Sequence, residues 1–250
     1  MTIPSLLWAP EVELSPLADG FADVWAAPLE HPSERLAAFA KTLSPDETVR
    51  AERFSTAPLR DAFVAGRGLV RDILSRYCDV PAKAIAFEYG ERGKPSLSGA
   101  NGALKFNASH SCGVLLFAIS RDAEVGVDVE RVVPRPDLTK LARRFFAPDE
   151  ANVLDALSPD DRLDAFYACW TRKEAYLKAR GGGLHLPLDK FVVSFSPGAD
   201  VELISSEIEP DDPALFSLTE LSPAQDFVGA LAVARKKATA RRIRWTPRLD

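Results

Sequence analysis

No apolar run in this chain approaches the length of a membrane-spanning helix. Its opening residues, Met1 to Pro10, lack the basic region and apolar core of a secretory signal. Membrane insertion and export are therefore not expected, and a cytoplasmic location is. Cysteine is scarce: Cys78, Cys112 and Cys169 follow neither a disulfide framework nor zinc-ligand spacing, and read as reduced thiols. Basic charge is not in excess, since 31 Lys and Arg face 36 Asp and Glu for a net charge of −5, so nucleic acid is not an expected partner. A Gly-rich phosphate loop of the Walker type is also missing, which argues against a nucleotide hydrolase built on one. Asn107-Ala108-Ser109 matches a glycosylation sequon, but without export the match carries little.

What is present is an ordinary globular composition, 46% apolar and 27% charged over 250 residues, enough for one large domain or two small ones. Residues 1–20 are Pro-rich and without period. A first strand is expected over Phe21–Ala27 and helices over Glu34–Thr42 and from Ser44, where Ser44-Pro45-Asp46-Glu47 is a capping box with proline in the first turn. That helix should end near Pro58. The next, Arg60 to Tyr77, should bury Phe63, Leu69, Val70, Ile73 and Leu74 and expose Arg60, Arg67 and Arg71. A strand over Ala84–Tyr89 leads into a turn, Gly90-Glu91-Arg92-Gly93-Lys94-Pro95, where Lys94, taken alone, reads as a solvated loop lysine. Leu104–Asn107 continues as strand into Ala108-Ser109-His110-Ser111, a cluster of neutral donors suited to an anion. Gly113–Ser120 is a buried strand. Three helices (Asp137–Phe145, one from Pro148, and about Asp160 to Lys178) precede strands near 191–195, 201–204, 215–221, 227–234 and 241–245. His31 and His185 carry no pattern and read as surface residues.

Phe227–Arg235 echoes Gly113–Arg121, so an α+β fold of two similar halves is expected, residues 1–120 and 121–250, with a site between them. The candidate site follows from local geometry. In Val125-Gly126-Val127-Asp128-Val129-Glu130 the valines share one strand face and Asp128 and Glu130 the other, where two carboxylates repel and need a cation. On the long helix, which Gly181-Gly182-Gly183 should stop, Trp170, Glu174 and Lys178 recur every fourth residue and share a face. If the two faces meet, Asp128, Glu130 and Glu174 converge beside a lysine, an oxygen-ligand site for which Mg²⁺ is the natural occupant. Otherwise the strand acids are a wet edge, Glu174 and Lys178 a surface pair, and Trp170 core packing in either case. Lys173 reads equally as a phosphate contact or plain surface charge.

Four motifs in order, Gly93-Lys94-Pro95, Phe106-Asn107-Ala108-Ser109-His110-Ser111, Gly126-Val127-Asp128-Val129-Glu130 and Trp170-Thr171-Arg172-Lys173-Glu174-Ala175-Tyr176-Leu177-Lys178-Ala179, resemble the surfactin-type 4′-phosphopantetheinyl transferases over residues 40–195. Arg143-Arg144-Phe145-Phe146 before Asp149-Glu150, and Gly183-Leu184 before Pro187-Leu188, are similar to that family too. The resemblance implies a pseudo-dimer of α+β halves with the cofactor between them. It implies Mg²⁺-dependent transfer of the 4′-phosphopantetheine arm of coenzyme A, the co-substrate, to a serine of an apo acyl or peptidyl carrier protein, with release of adenosine 3′,5′-bisphosphate. By match to the motifs, Asp128, Glu130 and Glu174 would hold the metal, Lys94, beside Pro95, and Lys178 would lie near the pyrophosphate, and Ser109 and His110 would contact phosphate.

Where some relatives place lysines for the 3′-phosphate this chain has Glu47 and Arg50, leaving Arg50, Arg53, Arg60 and Arg67 as candidates. Glu174, or a metal-bound water next to it, is the best-placed general base for the serine, with Lys178 supplying an ammonium. A monomer is expected. The alternatives are another Mg²⁺-dependent phosphoryl enzyme and a non-catalytic binder of coenzyme A or carrier protein; retention of all three acids with Lys178 speaks against the second.

Overall fold

The computed structural model describes residues 4–10, 14–90, 92–182 and 186–248. Met1 to Ile3 in the lead-in, Glu91 in the turn, Gly183-Leu184 after the long helix, and His185 lie outside the described residues.

The first half starts with β1 (Phe21–Pro28), then α1 (Ser33–Ala40), α2 (Pro45–Glu52) and α3 (Ala57–Leu74), a short hairpin β2 (Phe87–Tyr89) and β3 (Pro95–Leu97), and the strands β4 (Lys105–Ser111) and β5 (Val114–Ser120). The second repeats the plan: β6 (Val125–Arg131), α4 (Leu138–Phe145), α5 (Pro148–Ala156), α6 (Pro159–Arg180), a hairpin β7 (Phe191–Val193) and β8 (Leu203–Ser206), the one-turn α7 (Asp212–Leu215), then β9 (Ser217–Leu221) and β10 (Phe227–Val233). In both, the first strand pairs antiparallel with the last, which pairs antiparallel with the one before it: β1-β5-β4 and β6-β10-β9. The echo between residues 113–121 and 227–235 is thus the middle strand of each triplet. β11 (Thr239–Arg244) crosses back and pairs parallel with β1, so chain from beyond residue 121 completes the first sheet.

Side-chain alternation builds three layers of core. On β5, Leu115, Phe117 and Ile119 face α3, while Val114, Leu116 and Ala118 face the second sheet. Val125, Val127 and Val129 of β6 meet that inner layer, and Ala230 and Ala232 of β10 turn outward to α6. Both faces of β5 are covered, which is why it reads as one apolar run.

The helix signals are used as expected at α2, where the Glu47 carboxylate accepts the Ser44 N–H at 2.9 Å. At α6, Ser158 Oγ accepts the Asp161 N–H and the helix closes at left-handed Gly181, φ 68°. Pro58 opens α3 instead of closing α2, because its missing N–H is harmless in a first turn. The strand expected over Ala84–Tyr89 is shortened at its start: residues 82–84 form a 3₁₀ turn, leaving the Ala82 and Ile85 carbonyls to the Arg71 guanidinium at 3.2 and 2.8 Å. Arg71 is accordingly buried, contrary to its expected exposure, and also holds Glu47 at 2.8 Å. His31 is half-buried against Phe39 and Trp245, not on the surface.

Lys173, expected at a phosphate or in solvent, is fully buried. Its ammonium meets Glu150 Oε2 at 2.6 Å and the Leu188 and Phe191 carbonyls at 2.8 and 2.5 Å. Glu150 in turn accepts the Ala147 and Val193 N–H groups, so every charge in this cluster has a partner. The pair ties α5 and β7 to α6. Replacing Lys173 by Met should leave Glu150 buried and uncompensated, and lower the unfolding free energy measured in urea by about 3–5 kcal/mol.

The approach of α6 to β6 is closer than any side chain allows. A Cβ on Gly126 would lie 2.1 Å from the Ala175 carbonyl oxygen and 2.3 Å from the Ala179 nitrogen. Both are backbone atoms and cannot swing aside. Gly126→Ala should therefore cost about 3 kcal/mol or more by overpacking, read as a lowered denaturation midpoint at unchanged slope.

Candidate active site

The outer edge of β6 does not continue into a sheet. It is met by β4, whose alternate residues 107, 109 and 111 project toward it. Asn107 Oδ1 accepts the Val127 N–H at 3.0 Å, Ser109 Oγ donates to Asp128 Oδ1 at 2.8 Å, and Ser111 Oγ donates to Glu130 Oε2 at 2.9 Å. Side chains thus do here what a backbone ladder does elsewhere, and they join the first half to the acidic strand of the second. The sequon asparagine is spent in this seam.

From the other side comes α6. Glu174 and Lys178, one turn apart, look onto the same strand, and Lys178 Nζ donates to Asp128 Oδ1 at 2.6 Å, Ser109 Oγ at 2.9 Å and the Val127 carbonyl at 3.2 Å. Lysine, serine and aspartate close a triangle. Asp128 is buried, Glu130 and Glu174 half-buried. Burial first, then the Asp128 charge and that of Glu130, push the Glu174 carboxyl above its ordinary value against the pull of Lys178. Glu130 is raised too, by burial, with Ser111 opposing and Asp128 adding to the shift.

Two buried carboxylate oxygens, Asp128 Oδ2 and Glu174 Oε1, have no partner. No three acidic, histidine or cysteine side chains among the described residues stand in a ready-made metal cluster, and Lys178 and Ser109 both hold Oδ1 of Asp128. The donor set nonetheless suits a hard divalent cation: oxygen only, mutually repelling, with two oxygens unclaimed.

Beside this seam runs a cleft of about 520 Å³ between the β2–β3 hairpin and the C-terminal end of α6, lined by Arg92, Lys94, Pro95, Lys105, Glu124 and Arg180 among others. Lys94 is not a solvated loop residue. Its ammonium meets Glu124 Oε2 at 2.8 Å and the Ala179 and Val125 carbonyls at 3.2 and 3.4 Å, bridging the halves.

Of the residues singled out from sequence, Ser109, Asp128 and Lys178 touch directly, Glu130 joins through Ser111, Glu174 neighbours them, and Lys94 and Pro95 line the adjoining cleft. His110 alternates to the opposite face of β4 from Ser109; although the residue as a whole is exposed, partial desolvation of its ring, then the Lys178 charge, hold its pKa below the usual histidine value. Arg50 lies over the Phe63 ring at 5.3 Å and Arg60 pairs with Asp61, both on the helical layer. Arg67 is taken by Glu47 at 2.6 Å and stacks on Phe87. Asn107 and Ser111 could have been assigned from the polar alternation along β4. Glu124 carried no signal.

Residues 29–121 match the N-terminal model of the 4′-phosphopantetheinyl transferases, and residues 124–232 match the model of the 4′-phosphopantetheinyl transferase superfamily. The 4′-phosphopantetheinyl transferase HetI of Nostoc is 38% identical over 229 residues, 91% of this chain and 93% of that protein. The chain belongs to the 4′-phosphopantetheinyl transferase superfamily. The transferase Sfp of Bacillus subtilis is 32% identical over 66% of this chain and 72% of its own length. Among solved structures, the holo-[acyl-carrier-protein] synthase of Thermotoga maritima aligns over 45% of this chain and 63% of its own, with 24% identity and a TM-score of 0.36. The boundary between the two family models falls in the turn between β5 and β6, beside Glu124. No helix among the described residues is long and apolar enough to cross a membrane.

The raised carboxyl of Glu174 has a sign for stability. In the pH interval between its ordinary value and its raised one the folded chain binds more protons than the unfolded, so this group's contribution to stability falls as pH rises through the interval. In buffer with a chelator, Glu174→Gln should melt above wild type at pH 7, and the difference should vanish once the pH lies below the ordinary glutamate range.

Proposed function

We propose that this chain transfers the 4′-phosphopantetheine arm of coenzyme A to a serine of an apo acyl or peptidyl carrier protein, with Mg²⁺ held by Asp128, Glu130 and Glu174. The observation that carries the reading is the pair of unclaimed, buried carboxylate oxygens of Asp128 and Glu174 beside the Lys178 ammonium. Family membership supplies the reaction class, and the fusion of two halves, with the likeness to Sfp, favours the surfactin-type branch.

When bound, the metal would supply positive charge to the phosphates and to the oxygen that leaves. The rest falls to the chain. The serine oxygen of the carrier forms a bond to the phosphorus bearing the pantetheine arm. The bond from that phosphorus to the oxygen of the adenosine-side phosphate breaks, and adenosine 3′,5′-bisphosphate departs with the electron pair. Glu174 takes the serine proton; its raised pKa makes it a better base than an ordinary carboxylate. Lys178 faces the phosphates and Ser109 holds Asp128 in place.

Lys94, Pro95 and their cleft receive the diphosphate, with His110 and one or more of Arg50, Arg53, Arg60 and Arg67 toward the adenosine end. Beyond Glu130 a smaller pocket of about 240 Å³, lined by Arg131, Arg135, Leu141 and Trp170 among others, presents apolar surface with basic charge, which suits an acidic carrier protein. A monomer in the cytoplasm, where the free thiols would stay reduced, completes the reading.

Intact-mass measurement of an apo carrier protein incubated with coenzyme A, Mg²⁺ and this chain should show the gain of one phosphopantetheine, lost on chelation and restored by Mg²⁺. Glu174→Gln should slow turnover by about 10²–10⁴-fold. Asp128→Ala should abolish transfer with the circular dichroism spectrum unchanged. Full activity of Asp128→Ala with an unaltered Mg²⁺ requirement would place the site elsewhere.

A further inference from the structure

The cleft between the hairpin and α6 contains an anion of its own. Arg92, Lys94, Lys105 and Arg180 line it, and the Glu124 carboxylate stands among them, 2.8 Å from Lys94 Nζ and 3.4 Å from Lys105 Nζ. The two lysines hold that carboxyl below its ordinary pKa although burial opposes them, so it is ionised at neutral pH. We infer that Glu124 is an internal competitor for the anionic ligand of this cleft and thereby sets how tightly coenzyme A is held. The inference rests on reading the cleft as the diphosphate site.

The three partners of Lys94 are unequal. The Ala179 and Val125 carbonyls belong to the backbone of α6 and β6 and cannot leave. Glu124 reaches the ammonium through a flexible side chain that is 45% exposed, and such half-solvated pairs contribute little net stability. Its main chain is fixed separately, since the Glu124 carbonyl accepts the Ala234 N–H at 2.9 Å, so the carboxylate can swing out without disturbing β6. A diphosphate carries more charge than one carboxylate and can take its place on Lys94 and Lys105. It does so against the cost of breaking the internal pair and of the remaining negative charge nearby. Glu124 is thus an affinity-setting residue. A purely structural Glu124, needed to aim Lys94, predicts the opposite sign.

Calorimetric titration of wild type, Glu124→Gln and Glu124→Asp with inorganic pyrophosphate and with coenzyme A decides between them. Glu124→Gln should bind both about three- to tenfold more tightly at low salt, with the gain shrinking as ionic strength rises. Glu124→Asp, which keeps the charge, should stay near wild type. In the transfer assay the Michaelis constant for coenzyme A should fall in Glu124→Gln while kcat stays within twofold, a change that lost stability cannot produce. Equal or weaker binding by Glu124→Gln would overturn the inference and make Glu124 a positioning residue for Lys94. Wild type that binds neither probe would remove the cleft reading and this inference with it. If wild type binds both probes but transfers nothing, the proposed reaction fails, and the titrations still decide the role of Glu124.

Discussion

The Lys178–Asp128 ion pair is the contact on which the rest of the site depends. Asp128 is buried on a strand that also carries Glu130, opposite a helix that carries Glu174, and three carboxylates so placed repel one another at several kcal/mol unless something positive is near. Lys178 is that group, and it arrives by helix periodicity, one turn beyond Glu174. Its reach requires α6 to lie against the backbone of β6, and that requires Gly126. The glycine, the helix register and the lysine are thus one device. Even so the compensation is partial: Lys178 satisfies one oxygen of Asp128, while the other and Glu174 Oε1 stay without a partner. Polar atoms left this way in a packed interior call for a water or an ion as partner.

The two halves meet at that device. Asn107, Ser109 and Ser111 of β4 belong to the first half, and the acids they hold belong to the second. Lys94 makes the complementary reach from the first half to the Val125 and Ala179 carbonyls of the second. The seam is therefore built from side chains of both halves. The inner apolar layer between the sheets fixes their spacing, while the Lys173–Glu150 pair on the far side of α6 holds the helix that presents Glu174 and Lys178.

Electrostatics also divide the seam by task. Around Asp128 negative charge exceeds positive, which favours a cation and keeps Glu174 basic. In the neighbouring cleft, among the described residues, Arg92, Lys94 and Lys105 stand against Glu124, which favours an anion, while Arg180 is held by Glu209 and Asp212. A metal-bound diphosphate needs both environments side by side. The chain's net charge of −5 says nothing of this, because the fields that matter act over a few ångströms.

Much of the fold was legible in the sequence because local rules govern it. Alternation put the valines of β6 on one face and its acids on the other, four-residue spacing put Glu174 and Lys178 together, the Ser44–Glu47 box started α2, and the echo of residues 113–121 at 227–235 announced the two halves. The order of four motifs carried the family. Tertiary structure alone decided which face meets which. Arg71 read as exposed, and Lys173 as a phosphate contact or a surface charge, because an amphipathic pattern cannot show that a 3₁₀ turn or a buried glutamate waits opposite. The return of β11 to β1, the use of side chains in place of a ladder between β4 and β6, and the Glu124–Lys94 contact join residues 19 to more than 200 positions apart. Spacing fixes the direction in which a side chain leaves its own helix or strand. What it touches there depends on how distant segments pack, and no local period records that.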